Sequence, residues 1–177
     1  PGGLWVFDRA LTPLGWAEVD YYSRDVVPLG DVAFVAANAL YAVDVSDPSA
    51  PTVLSQTPHL GSIAVAEADG LLYAVHTGAQ GRLSVIDPTD PTDLVVLGEL
   101  DMPGATDLVV ADGLAWLANG AYGVRVVDVR DPGALQERGL WPTTGLATGI
   151  AVAGDGVYVA SGFGGPQIFQ ASCVSEP

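Results

Sequence analysis

Three stretches of this chain say nearly the same thing: "ALYAVDVSDP" at 39–48, "RLSVIDPTDP" at 82–91 and "GVRVVDVRDP" at 123–132. Weaker copies stand at both ends, "GLWVFDRALTP" at 3–13 and "PQIFQAS" at 166–172. The aspartate that closes each apolar run falls at Asp8, Asp44, Asp87 and Asp128, with Gln170 in its place in the last copy. The intervals are 36, 43, 41 and 42 residues. A second mark repeats independently. A glycine–aspartate pair, in either order, occurs at Gly30-Asp31, Asp69-Gly70, Asp112-Gly113 and Asp155-Gly156, and an aromatic residue follows each: Phe34, Tyr73, Trp116 and Tyr158. Two registers that agree on a period of about 42 residues confine the chain to one supersecondary unit stacked several times.

Each unit reads as short strands separated by turns. In the third they are "DLVVADG", "LAWLANG", "GVRVVDV" and "LQERGLWP". Val, Ile, Leu and aromatics fill the runs, and Asp-Gly between two of them marks a tight hairpin. No stretch sustains apolar positions at helical spacing, and frequent Gly and Pro would interrupt one. "SVID" and "VRVVDV" carry apolar residues on both faces, which an antiparallel meander needs only when neighbouring sheets cover both sides. Four-stranded units of this length, each sandwiched by its neighbours, describe the blades of a β-propeller. The expected fold is therefore all-β: a β-propeller of about four 42-residue, four-stranded blades. Small residues in the first strand of each unit ("IAVAEA", "LVVADG", "IAVAG") suit a crowded position beside a central channel.

The expected organisation is a partial unit at 3–24, units at 25–63, 64–107, 108–149 and 150–170, and a tail at 171–177. A third strand then occurs at both ends. In one arrangement the outer strand "GWAEVD" completes the last blade and closes a four-bladed ring. In the other, favoured by the start inside a unit, the chain is part of a larger propeller.

In the D-x-x-D-P element an Asp before Pro folds its carboxylate onto nearby backbone amides while Pro fixes φ for the turn. Asp44, Asp47, Asp87, Asp90, Asp128 and Asp131 are thus turn residues, needed once per unit. "LYAVDVSDP", "LSVIDPTDP" and "VRVVDVRDP" resemble the repeat of the LVIVD family of β-propeller proteins. The Gly/Asp-aromatic-x-Ala strand upstream, at 113–118 and 156–160, resembles it too, so the likeness spans about residues 3 to 170. The resemblance implies a bacterial or archaeal protein, secreted or held at the cell surface. It brings no catalytic residues, and the turn motif degrades at the two ends.

Charge narrows the partners. All six cations are arginine, against 21 acids, for a net charge of −15. Phosphate binding relies on clustered Lys and Arg, so nucleic acid is not expected, nor is an anionic membrane surface. No apolar run reaches the roughly 18–20 residues that span a bilayer as a helix, so membrane insertion is not expected. The N-terminus has no basic start followed by an apolar stretch of the kind a signal peptide carries. The single cysteine, Cys173, can form neither an internal disulfide nor a thiolate metal cluster.

Standard catalytic signatures (G-x-x-x-x-G-K, H-E-x-x-H, G-x-S-x-G, C-x-x-C) are missing. Binding on a rigid scaffold usually resides in its loops. Those between the second and third strands ("HTGAQGR", "NGAYG", "SGFGG") share a face with the connections between units ("TPHLGS", "MPGATD", "TTGLATG"). His59, His76, Asp107, Tyr122 and Phe163 are the binding candidates there. No cofactor is required. Calcium is the one metal the sequence offers, through Asp87, Asp90 and Asp93 of "DPTDPTD". The expected function is a non-catalytic extracellular or cell-surface scaffold that binds a protein partner or the remainder of a larger propeller. The alternative is an enzyme, such as a calcium-assisted hydrolase, with its site at the channel mouth.

Overall fold

The computed structural model describes residues 2–20, 22–57, 61–76 and 81–171. Runs of β-branched and aromatic residues punctuated by Gly, Asp and Pro become strands throughout, 17 of them among the described residues. A 3-10 turn lies at Gly162–Gly164. All strands pair antiparallel with their neighbours in sequence, in five sheets. A hairpin of β1 (Gly3–Phe7) and β2 (Pro13–Glu18) comes first. Three four-stranded meanders follow. They are β3 (Asp25–Leu29), β4 (Val32–Ala36), β5 (Leu40–Asp44) and β6 (Thr52–Gln56); then β7 (Ser62–Ala68), β8 (Leu71–His76), β9 (Arg82–Asp87) and β10 (Val95–Asp101); then β11 (Asp107–Ala111), β12 (Leu114–Ala118), β13 (Val124–Asp128) and β14 (Gln136–Trp141). The last sheet has three strands, β15 (Gly149–Ala153), β16 (Gly156–Ala160) and β17 (Pro166–Gln170).

The sheets stack face to face, and each join is a hydrophobic core. Phe34, Ala36 and Ala42 of the β3–β6 sheet meet Val65, Leu72 and Ile86 of the next. On its other side that sheet sends Tyr73, Val75 and Val85 against Leu108, Leu117 and Val127. Trp116, Val124 and Val126 in turn meet Val157, Val159 and Phe169. First strands line up as a row, β3 against β7, β7 against β11, β11 against β15; no comparable packing brings β15 back to β3 among the described residues.

Local chemistry explains the repeat. Asp69-Gly70 and Asp112-Gly113 have positive φ at both residues, the requirement of a two-residue hairpin turn whose twist matches its strands. The Asp44, Asp87 and Asp128 carboxylates each accept a hydrogen bond from the backbone N–H two residues on, as do those of Asp47, Asp90 and Asp131. The turn also joins units. Each outer strand carries a bulge, with Leu14, Leu54, Leu97 and Arg138 as the extra residue. In the first three, the small residue that follows the bulge meets the proline of the next unit's turn. Gly15 and Gly98 lie so close to the carbonyls of Pro48 and Pro132 that a Cβ would collide, and the Ser55 hydroxyl donates to the Pro91 carbonyl at 2.6 Å.

The hairpin fits the same series. Leu4, Ala17 and Val19 pack on Val35, Val43 and Tyr41, and Asn38 Nδ2 donates to Asp20 at 2.8 Å. "GWAEVD" therefore does not complete the last sheet: β2 pairs with β1 and lies against the β3–β6 sheet. The Gly15–Pro48 approach fixes it there. Sheets begin at Ser62, Asp107 and Gly149, one or two residues ahead of the unit starts at 64, 108 and 150 expected from the repeat, because the first strand extends into the connecting loop.

Candidate binding face

The start of each first strand and the end of each second strand meet on one side of the stack, and most of the expected binding residues lie near there. His59 and Cys173 fall outside the described residues. His76 does not belong to an exposed loop. It is the last residue of β8 and is buried, with Nδ1 3.1 Å from the Ser62 hydroxyl and Nε2 2.8 Å from that of Ser84. The Ser84 hydroxyl donates to Glu99 at 3.1 Å, so it accepts from Nε2–H. That leaves Nδ1 as the acceptor for Ser62. Arg82 pairs with Glu99 at 2.7 Å and closes the chain of contacts. Burial holds the imidazole down at about 4, against the pull of Glu99 and with the push of Arg82, so it is neutral at pH 7. His76 is thus a core residue whose polar atoms are satisfied, and not a surface ligand.

Asp107, the first residue of β11, is half-buried and committed to the backbone. One carboxylate oxygen accepts from its own Leu108 N–H at 2.9 Å and the other from Ile150 N–H of β15 at 2.8 Å. Asp25, at the start of β3, makes the same strap to Val26 and to Val65 of β7. Asp25 thus ties the β3–β6 sheet to the β7–β10 sheet, and Asp107 ties the β11–β14 sheet to the β15–β17 sheet, across gaps that main-chain pairing does not bridge. Burial pushes the Asp107 carboxyl up against the pull of its two N–H partners, and the Asp25 charge pushes the same way as burial. The sequence signal for Asp25 was present, since it holds the same place in its unit as Asp107.

Tyr122 and Phe163 are where the sequence put them, on loops and strongly exposed. Leu146, which the sequence did not mark, is exposed beside them in the chain of linked loops. An isolated bridge pairs Gly120 with Ala147, and the Thr106 hydroxyl lies 3.1 Å from the carbonyls of both Ala118 and Ala147. Gln167 donates to Thr144 and to Ser161. Loops 102–106, 119–123, 143–148 and 161–165 thereby form one hydrogen-bonded shelf carrying three large apolar side chains toward solvent. Beneath it Asn119 is fully buried, its amide without a protein partner among the described residues. A polar recess of about 200 Å³ opens between the first two four-stranded sheets, lined by Tyr22, Arg24, Asn38 and Ser62 among others.

The calcium candidates do not converge. Asp87 and Asp90 are turned onto the amides and hydroxyls of Thr89 and Thr92, and no three His, Cys, Asp or Glu groups among the described residues are placed to hold a metal ion. Hydrogen bonds from these neighbours hold both carboxyls below the usual range.

Two solved structures share the fold. The computationally designed Ika4 protein superposes with a TM-score of 0.68 at 13% identity, covering 86% of this chain and 94% of that one. The computationally designed Ika8 protein gives 0.65 at 12%, covering 84% of this chain and 45% of that one. A comparison with curated proteins gives no match. Residues 22–57, which span β3 to β6 and the "DVSDP" turn, match the model of the LVIVD repeat, the repeat that the sequence resembles.

Proposed function

We propose that the chain is a β-propeller, or an arc of one, acting as a non-catalytic extracellular or cell-surface scaffold that binds a protein through its loop shelf. Its sheets stack face to face with their first strands in a row, the arrangement of blades around an axis. The extracellular location rests on the resemblance to LVIVD-repeat proteins. One observation carries the binding reading: Tyr122 and Leu146 are exposed by more than half and Phe163 entirely, on loops that a hydrogen-bond network holds in place. Large exposed apolar groups on a rigid frame are what a protein interface uses as anchors. The polar residues nearest the shelf are instead occupied: His76 by two serines and Asp107 by two backbone amides.

The test is a photoreactive phenylalanine analogue at position 163, with the same analogue at Val53 on an outer strand as control. The expected result is one defined polypeptide crosslinked from position 163 in extracts of the native cells, and lost when Tyr122 and Leu146 are changed to serine. Absence of any crosslink specific to position 163 overturns the reading.

A further inference from the structure

We infer that the Asn119 carboxamide is the polar contact of the loop shelf, and that it pairs with a main-chain peptide group in an apolar segment of the partner. This rests on the reading of the shelf as a protein-binding surface and names the chemistry that surface selects.

The second strands of the last four sheets all lead to the same kind of position. Three residues beyond the aromatics Phe34, Tyr73, Trp116 and Tyr158 stand Ala37, His76, Asn119 and Ser161, and all four are buried. Ala37 has no polar side chain to satisfy. His76 is held by Ser62 and Ser84, and the Ser161 hydroxyl accepts from Gln167 Nε2 at 3.2 Å. Asn119 differs from the others: its Oδ1 and Nδ2 are both buried, and neither has a hydrogen-bond partner among the described residues. Its main chain is fully used, since its N–H donates to the Gly123 carbonyl at 2.7 Å and its carbonyl accepts from the Tyr122 N–H at 2.9 Å. A buried amide left unpaired costs its desolvation in full, a cost that a leucine of similar shape would avoid. The compensating bonds therefore lie with a group from outside the chain.

The amide is buried, but only just beneath the shelf. A Cβ on Gly104 would stand 3.0 Å from Asn119 Oδ1 and 3.5 Å from the Tyr122 ring. The carboxamide and the tyrosine thus border one gap between loops 102–106 and 119–123, and glycine at 104 keeps that gap clear of a side chain. Tyr122 is 57% exposed, so its ring can turn aside without opening the core.

A carboxamide offers one acceptor oxygen and an NH₂ donor, the complement of a peptide N–H and C=O. No residue of loops 102–106, 119–123, 143–148 or 161–165 is charged, in a chain of net charge −15, so the shelf selects its partner without ion pairs. Tyr122, Leu146 and Phe163 take apolar side chains, and the amide that an apolar residue brings with it is its own peptide group. That group must be free of helix or sheet bonds, which makes the bound segment extended or the tip of a loop. Such a bond discriminates, because a segment that cannot form it leaves the buried carboxamide unpaired.

The test is a nuclear magnetic resonance titration of the ¹⁵N-labelled chain with the capped tripeptide N-acetyl-Phe-Ala-Leu-amide. Ester analogues that replace its main-chain N–H groups by oxygen, one at a time, and acetamide as a mimic of a side-chain amide are run beside it. Asn119 is one of two asparagines, and Asn119→Leu identifies its side-chain N–H pair. The tripeptide is expected to shift that pair saturably, together with the backbone signals of Leu146 and Phe163, while the Asn38 pair and the acetamide spectra stay in place. One ester analogue should bind about tenfold more weakly, the worth of one net hydrogen bond. Asn119→Leu should lose at least as much affinity yet melt no lower than wild type by circular dichroism. Shifts at Leu146 and Phe163 without any at Asn119 overturn this inference and leave the shelf standing; no shift at any of them removes both readings. Ester analogues that all bind like the parent also overturn it. So does an Asn119→Leu variant that melts lower and binds unchanged, because the amide then serves the fold, as it would through a buried water.

Discussion

Acid should loosen this protein well above the pH at which its carboxylates protonate, and His76 is the reason. In the folded chain its imidazole sits between Ser62 and Ser84 with burial holding its pKa at about 4; in the unfolded chain it returns to about 6.5. Between those values the unfolded state binds the extra proton. Stability is therefore at its full value above about pH 6.5, falls as pH drops through the window, and has lost the whole contribution below about pH 4. At about 1.4 kcal/mol per pH unit, the gap is worth about 3–4 kcal/mol. The turn aspartates Asp44, Asp47, Asp87, Asp90 and Asp128 have lowered carboxyl pKa values, so their losses come later, below about 3.8. Asp107 acts with the opposite sign, since its raised pKa makes the folded state the better proton binder just above 3.8. Comparison with His76→Gln removes that background. Urea unfolding midpoints measured from pH 4 to 8 should fall steeply for wild type and more gently for the variant. Proton NMR of His59→Gln, which leaves one histidine, should show no imidazole titration above pH 5. An NMR midpoint near 6.5, or parallel pH profiles for wild type and His76→Gln, would refute the assignment of His76 to a closed polar core.

Two further outcomes bear on how the sheets are held. Asp107→Ala strands the N–H groups of Leu108 and Ile150 and is expected to cost about 1–3 kcal/mol in urea unfolding, whereas Asp107→Asn, which keeps an acceptor, should cost clearly less; an unchanged midpoint for Asp107→Ala would mean that the strap contributes nothing. Gly30 and Gly123 both have positive φ, but a Cβ at Gly30 meets nothing within 4 Å while one at Gly123 collides with the Trp141 carbonyl. Gly30→Ala should therefore cost about 1–2 kcal/mol from backbone conformation alone, and Gly123→Ala distinctly more, as read from thermal melting.

The sequence by itself determined the period, the strands and the turns, because those depend on residues close in the chain. Asp-Gly can build its hairpin, and Asp before Pro can cap its own turn, whatever lies across from them. The repeat also placed Tyr122 and Phe163 on loops, since Gly-rich segments between β-branched runs cannot continue a strand. Burial was another matter. Trp116 and Tyr158 stand in the same local pattern, one covered and the other open, and only the sheet stacked above them makes the difference. His76 reads as the first residue of a polar loop, yet β8 carries it one position further, into a core where Ser62 and Ser84 wait from two other strands. Asp107 reads as a free carboxylate until Ile150, 43 residues on, arrives to use it. Such partners come together only when one unit packs on the next, and that packing, which no single repeat encodes, decided which polar residues are structural and which faces remain open to a partner.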